Sequence, residues 1–518
     1  MKQFVVIVLA LVLLLCSASA ARAEGLDSEN NARVFYEIFV GSFSDSNGDG
    51  VGDLRGIINR LDYLNDGNPS SETSLGVEGI WLTPIFLSPS YHKYDVTDYY
   101  QIDPAFGTLE DLQELIALCH ARDVKLILDL PLNHTGSSCR WFKNFSNAHL
   151  MHNPENAYYD FYTWISPEDP VPAGRHFTKL PSGTALYESN FSDSMPELNF
   201  DNEAVRRAVL DVAEYWLNLG VDGFRFDAAK YPYFGEHDKN ADFWGWYMAE
   251  LRKAHPDLYA VAEVWDGDGV IAQYLPAFNC FHFSVSQAEG IIAATAKGGD
   301  VNKFIRSVEK YLSDIRALNP KAMDIPFIAN HDTDRAAGYL SMSNGRMQVA
   351  ASLYLLSPGS PFIYYGEEIG LRGSRGGENT DANRRLAMLW GDGDTVKDPP
   401  GSTYAKQTPY SVKDLEEMGN TLLQHYRKLI ALRKANPEIA RGNYTALSFP
   451  DTKGGGFLCD WNGSVVGVFH NTTTGEKTLD LSLIPDVSFS TLSFVGMSEA
   501  SLEGNLLTLG PQTSAVLR

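Results

Sequence analysis

Three acidic residues stand directly after short apolar runs. Asp227 closes Gly223-Phe-Arg225-Phe-Asp227, Glu263 follows Ala260-Val-Ala262, and Asp332 ends Asn330-His331-Asp332. A pair of carboxyl groups about 5 Å apart, one nucleophilic and one protonated, is the equipment for cleaving a glycoside with retention. A lone acid at such a place is more often an ion-pair or helix-cap residue. Three at the ends of the fourth, fifth and seventh such runs, with Arg225 and His331 beside them, point to a site. Arg225 lies two residues before Asp227 on the same strand face, so its charge is expected to keep that carboxyl low and ionised.

Such residues need a frame to bring them together. Apolar runs at Val34–Val40, Gly79–Leu82, Lys125–Leu130, Gly223–Phe226, Ala260–Val264, Phe281–Val285, Ile325–Ala329 and Phe362–Tyr365 alternate with helical patterns such as Leu109–Ala121 and Glu203–Leu219. Eight strands in such a series predict an α/β chain closed into a (β/α)8 TIM barrel. Its chemistry belongs on the loops that follow the strands. Residues 24–135 and 202–434 form the expected barrel. The stretch 136–201, rich in Asn, Pro and aromatics, is too long for an ordinary loop and is read as an inserted subdomain. Residues 435–518 turn to short alternating strands with Asn462-Gly463 and Thr474-Gly475 turns, the pattern of a C-terminal antiparallel β-sandwich.

The first 23 residues read as a signal peptide. Lys2 precedes an apolar run from Phe4 to Leu15, and Ala18-Ser-Ala20 and Ala21-Arg-Ala23 offer small-x-small cleavage sites. A secreted or periplasmic protein follows; lipid anchoring at Cys16 is the lesser alternative, because Leu15 precedes the cysteine poorly. No other apolar run is long enough to span a bilayer. The 518-residue chain carries a net charge of -23, which becomes -25 once Lys2 and Arg22 are removed with the leader. That balance disfavours nucleic acid and suits a neutral substrate or a cation. Cys119, Cys139, Cys280 and Cys459 do not form a disulfide framework; Cys119 reads as a buried thiol, and pairing stays open.

One loop has the spacing of a cation site. Asp45, Asn47, Asp49, the Val51 carbonyl and Asp53 fall at positions one, three, five, seven and nine of a calcium loop, with Gly50 at the turn. Gly56 stands where an EF-hand has its bidentate Glu, so the EF-hand is incomplete.

The motifs Asp129-Leu-Pro-Leu-Asn133-His134, Gly223-Phe-Arg225-Phe-Asp227-Ala-Ala-Lys230, Glu263-Val-Trp265 and Asn330-His331-Asp332 resemble, in order and spacing, the signature regions of the α-amylase family of glycoside hydrolases. Gly79-Ile-Trp-Leu-Thr-Pro84, Tyr94-Asp95-Val-Thr-Asp98-Tyr99 and Gly366-Glu-Glu-Ile-Gly370 extend the resemblance from about Val34 to Trp390. It implies Asp227 as nucleophile, Glu263 as general acid/base and Asp332 as the acid that binds sugar hydroxyls and helps distort the ring. Tyr94, His134, Arg225, Lys230 and His331 would bind substrate. A structural Ca2+ would sit in the Asp45–Asp53 loop, and a second near Asn133 is in doubt because Tyr231 replaces the usual His.

Ala228 goes with α-1,4 linkages in that family. Tyr91 stands where exo-acting α-glucosidases carry Asp, and Met195-Pro-Glu-Leu-Asn199 resembles a branch intermediate between oligo-1,6-glucosidases and neopullulanases. The expectation is endo-hydrolysis of an α-glucan such as starch or maltodextrin by a monomer. The alternatives are an exo-α-glucosidase, a neopullulanase/cyclomaltodextrinase-like hydrolase with transglycosylation, and, from another class, an inactive amylase-like binding module.

Overall fold

A computed structural model describes residues 31–518 apart from 342, 377–379 and 486. The expected signal peptide, with its candidate cleavage sites and Cys16, lies outside the described residues. Seven parallel strands, β1 (Phe35–Ile38), β2 (Gly79–Leu82), β3 (Lys125–Leu130), β4 (Gly223–Phe226), β5 (Tyr259–Ala262), β6 (Asn279–Cys280) and β7 (Phe362–Tyr364), form one curled sheet. Their order is β6-β5-β4-β3-β2-β1-β7.

The gap between β6 and β7 is closed by the chain around Ile325. Phe281 bridges Ile325 in parallel. The His282 N–H donates to the Ile325 carbonyl at 3.1 Å, and the Phe362 N–H donates to the Pro326 carbonyl at 3.0 Å. This eighth element is bonded on both sides and completes a (β/α)8 barrel.

Two expected strands are corrected here. Ile325–Ala329 is not a strand, because Pro326 lacks the N–H that a ladder needs. Phe281–Val285 is not one either: the strand ends at Cys280, and Phe283–Val285 is a 3-10 turn. The alternating phenylalanines that suggested a strand instead pack inside the barrel beside Trp81, Phe327 and Phe362.

Alternation sorts the strand residues into two layers. Phe35, Trp81, Ile127, Tyr259, Val261 and Phe362 fill the barrel interior. Tyr36, Ile80, Leu126, Leu128, Phe224, Ala260 and Ala262 pack outward in a second core shared with the helices. Residues in step with the inner set are therefore the ones that reach the barrel axis.

The helices have clear starts. Thr108 caps α1 (Leu109–His120) in a capping box with Asp111, and Asn202 caps α2 (Glu203–Asn218) by accepting from the Ala204 N–H. α3 (His237–Ala254) follows β4.

Between β3 and β4 the chain forms a helix at Arg140–Leu150 and a three-stranded antiparallel sheet of Trp164–Ile165, Leu186–Glu188 and Phe177–Lys179. Near the C-terminus, antiparallel sheets of five and three strands pack around Phe469, Leu507, Leu509 and Leu517. Gly454–Trp461 and Ser464–Asn471 pair through the Asn462-Gly463 turn. Both turn residues have positive φ (55° and 82°), as a two-residue hairpin requires.

Candidate active site

The inner face of the sheet delivers the charged groups. Glu37 on β1, Asp129 on β3 and Arg225 on β4 are all inward and buried. Register places Arg225 beside Asp129 on one side and beside Val261 on the other. Asp227 and Glu263 continue the same inward alternation just past the ends of β4 and β5.

Arg225 organises this layer. Its Nη1 donates to Asp227 Oδ1 at 2.6 Å and to Asp129 Oδ1 at 2.8 Å, while Nη2 bonds Glu263 Oε2. Its guanidinium lies 5.1 Å from the Trp81 ring centroid. One buried cation thus serves three carboxyl groups, which it cannot fully neutralise, so a proton in this cluster is favoured. Burial, reinforced by Asp227 and Asp332, pushes the Glu263 carboxyl up to about 7 against the pull of Arg225.

Burial also carries Asp227 upward, with Arg225 as the opposing charge and Asp129 and Asp332 adding to the rise. The expectation that Arg225 holds Asp227 low is corrected in this respect. The cation is in place, yet burial and two neighbouring anions outweigh it.

A second arm approaches from the other side of the barrel. His331 Nδ1 meets Glu37 Oε1 at 2.5 Å, and its Nε2 lies 3.0 Å from Asp332 Oδ2 and 2.6 Å from the Tyr94 hydroxyl. Burial alone would lower this imidazole, but Asp332 and Glu37 raise it to about 10. It is a cation held between two carboxylates. The Tyr94 hydroxyl donates to Asp129 Oδ2 at 2.8 Å, which joins the two arms. Asp332, although burial opposes its charge, is held well below the usual carboxylate range by His331 and Arg385. Arg385 donates to Asp332 Oδ1 at 2.7 Å and to the Tyr91 hydroxyl at 3.1 Å.

The remaining predicted residues fall as follows. His134 is buried, with both ring nitrogens unpartnered, next to Phe191 at 5.2 Å between ring centroids. Burial pushes this imidazole down to about 4, so it is neutral. Lys230 turns to the loop after β5, donating to the Trp265 carbonyl at 2.7 Å and Asp266 Oδ2 at 3.1 Å. Ala228, directly after the nucleophile candidate, has φ 48°, a left-handed conformation unusual for a residue with a Cβ. Tyr91 lies against Phe39, 6.1 Å between ring centroids.

Three members of the site had no role assigned from sequence. Glu37 and Asp129 could have been noticed as charges at inward positions of apolar strands, where a partner is required. Arg385 sits in Asn383-Arg384-Arg385, which looks like solvated polar loop.

The Asp45–Asp53 loop turns sharply at Gly48 and Gly50, with φ of 86° and 95°. Asp45 accepts from the N–H groups of Asn47, Gly48 and Gly50, and Asp49 from that of Val51. Asp53 accepts from the Ser46 and Gly56 N–H groups. Among the described residues no three His, Cys, Asp or Glu side chains converge as a ready-made cage. The donors are all oxygen, the ligand type that a hard cation takes. Asn133 is buried with both side-chain amide atoms unpartnered.

Residues 37–442 match the family described as alpha amylase, catalytic domain. The chain is 34% identical to Alpha-amylase 3 of Dictyoglomus thermophilum over 496 residues, covering 94% of this chain and 93% of that one. It superposes on the alpha-amylase from H. orenii with a TM-score of 0.81 at 35% identity, covering 94% and 99% of the two chains. A protein named 4-alpha-glucanotransferase from Thermotoga neapolitana is 29% identical, over 86% of this chain and 97% of its own. The chain belongs to the alpha-amylase family of glycoside hydrolases.

Proposed function

We propose that the protein is an endo-acting α-amylase that hydrolyses α-1,4-glucosidic bonds of starch and maltodextrins with retention. The observation that carries this reading is the shared guanidinium. Arg225 holds Asp227 and Glu263 side by side, an arrangement suited to the about 5 Å spacing of a retaining pair rather than the wider gap that admits a water.

Asp227 attacks the anomeric carbon while Glu263, raised to about 7, protonates the leaving oxygen. Attack on carbon demands the ionised carboxylate, and Arg225 at 2.6 Å supplies the countercharge. Deprotonated Glu263 then activates water, which releases the sugar. Asp332, ionised between His331 and Arg385, accepts hydroxyl hydrogen bonds from the ring and favours its distortion. Neutral His134, with free ring nitrogens, can donate to a further hydroxyl. Tyr94 offers its ring beside the reacting sugar, although its hydroxyl is already engaged.

Support for the endo mode is the Tyr91–Arg385 hydrogen bond, which stands where an acid would grip a chain end. A structural Ca2+ held by Asp45, Asn47, Asp49, the Val51 carbonyl and Asp53 belongs to the proposal, as does export through residues 1–23. The cation would supply positive charge to an acidic loop and hold it folded. A second cation near Asn133 is supported by the unpartnered amide of that residue. Among the described residues no helix is long and apolar enough to cross a membrane.

The test is a product time course on amylose and on maltose, with Asp227→Asn as control. Early mixed oligosaccharides, maltose left intact and no release by the variant support the reading. Glucose as the sole early product shows an exo-glucosidase, and chains longer than the substrate show that sugar outcompetes water for the glycosyl-enzyme. Release by Asp227→Asn equal to the wild type overturns the catalytic assignment.

A further inference from the structure

Residues 385–398 run alongside residues 42–50 and are fastened to them at six places. The Met388 N–H donates to the Ser42 carbonyl at 2.8 Å, and the Trp390 indole donates to the Phe43 carbonyl at 2.6 Å. Ser44 Oγ donates to Asp394 Oδ2 at 2.6 Å, and the Asp45 N–H to Asp394 Oδ1 at 3.2 Å. Thr395 Oγ1 donates to Asp45 Oδ2 at 2.6 Å, and the Lys397 N–H to the Gly50 carbonyl at 2.9 Å.

Arg60 clamps the seam from outside. It donates to Asp394 Oδ2 at 2.9 Å and to Asp392 Oδ2 at 2.5 Å, with its guanidinium 4.2 Å from the Trp390 ring centroid. The base of the loop is tied where the Ala387 N–H donates to Asp398 Oδ1 at 2.9 Å. At the inner end Arg385 grips Asp332 and Tyr91, and its Nε donates to the His331 carbonyl at 3.1 Å. The seam thus joins the acid-rich 45–53 loop to the arm that presents Asp332.

We infer that Asp394 is a positioning residue for the Arg385–Asp332 pair, and that a divalent cation held by the 45–53 loop tightens glucan binding through this seam. The inference rests on the proposed α-glucan substrate and on the cation reading of that loop. Asp394 takes hydrogen bonds from Ser44, from the Asp45 N–H and from Arg60, so it is the point where the two segments are locked in register. Asp45 is shared: its Oδ2 holds Thr395, and the same carboxylate is the first cation donor. A cation that fixes Asp45 fixes the outer end of the seam. Arg385 then meets the sugar already placed, which lowers the ordering cost of binding.

The test uses the full chain in an Asp227→Asn background, which removes turnover. Maltoheptaose binding is measured calorimetrically with calcium and after chelation, and calcium binding is measured separately. Calcium is expected to tighten maltoheptaose binding about fivefold to tenfold. Adding Asp394→Asn, which keeps the side-chain shape, is expected to abolish that difference while calcium still binds and still raises Tm. Thr395→Val is expected to reduce it.

Equal sugar affinity with and without calcium overturns the coupling, as does absence of calcium binding or retention of the full effect in Asp394→Asn. A protein that takes no maltoheptaose under either condition refutes instead the functional reading beneath it.

Discussion

The catalytic assignment makes Glu263 responsible for the alkaline limb of the pH–rate profile. Its carboxyl is displaced from 4.5 to about 7 by burial first and by Asp227 and Asp332 next. At about 1.4 kcal/mol per pH unit, that displacement corresponds to about 3 kcal/mol favouring the protonated form. The acid form is the active one in the first step. kcat/KM should therefore be flat below about pH 6, fall to about half at pH 7 and then fall tenfold per unit, to about a tenth at pH 8 and about a hundredth at pH 9.

Replacing Glu263 by Gln removes the proton donor without opening a cavity. Loss of general acid catalysis should cost about 10²–10⁴ in kcat/KM on maltooligosaccharides. On maltosyl fluoride, whose leaving group needs no proton, the first step should be far less impaired, and the limb near pH 7 should vanish. The assay is initial fluoride release against reducing-sugar release across pH 5–9 for both proteins. A limb near pH 7 that persists on the fluoride in Glu263→Gln, or a wild-type limb near 4.5, would refute the assignment.

Three further outcomes are expected. His331 is raised to about 10 in the folded protein by Asp332 and Glu37 despite its burial, above an unfolded value near 6.5. Its stabilisation is complete below about pH 6.5 and disappears by about pH 10, so the deficit of His331→Gln in urea unfolding should shrink across that window. Burial pushes Glu367 up to about 7 even though Tyr354 and Tyr426 donate to it. Wild-type stability should then fall between pH 4.5 and 7 relative to Glu367→Gln; parallel stability curves across this range would contradict the shift. Ala228 sits at φ 48°, where a β-branched side chain is disfavoured beyond Ala itself, so Ala228→Val should lower Tm and reduce kcat by misplacing Asp227. An unchanged Tm would show that the turn absorbs the branched side chain.

How far the fold could be read from sequence depended on whether apolar alternation had one explanation. For β1 to β5 it did: their inward and outward residues pack in different cores, the barrel interior and the layer shared with the helices. At Phe281–Val285 the same alternation served a turn, because phenylalanines that plug the barrel interior need the same spacing as phenylalanines on a strand. Pro326 could have been taken as a warning against a strand at Ile325–Ala329. The catalytic candidates were legible because they follow strand ends in a series. Glu37 and Asp129 were not assigned roles, since their meaning depends on His331, Tyr94 and Arg225, which are distant in sequence. Arg385 was hidden by its polar neighbours, and the seam that holds it joins segments far apart in sequence, which no local pattern announces.

The cysteines have a practical consequence. Cys119, Cys139, Cys280 and Cys459 are free and buried, and burial raises all four thiols, Cys119 and Cys459 to about 12. Folded protein produced without residues 1–23 should be silent toward aqueous thiol reagents, so colour developed with an aromatic disulfide becomes a clock for opening of the chain. Cys119, Cys139 and Cys280 report on the barrel and its inserted segment, and Cys459 on the C-terminal sheet. Mass spectrometry of the tagged peptides would show whether the two regions open together. A single cysteine introduced on the surface would accept a fluorophore without competition from the native thiols.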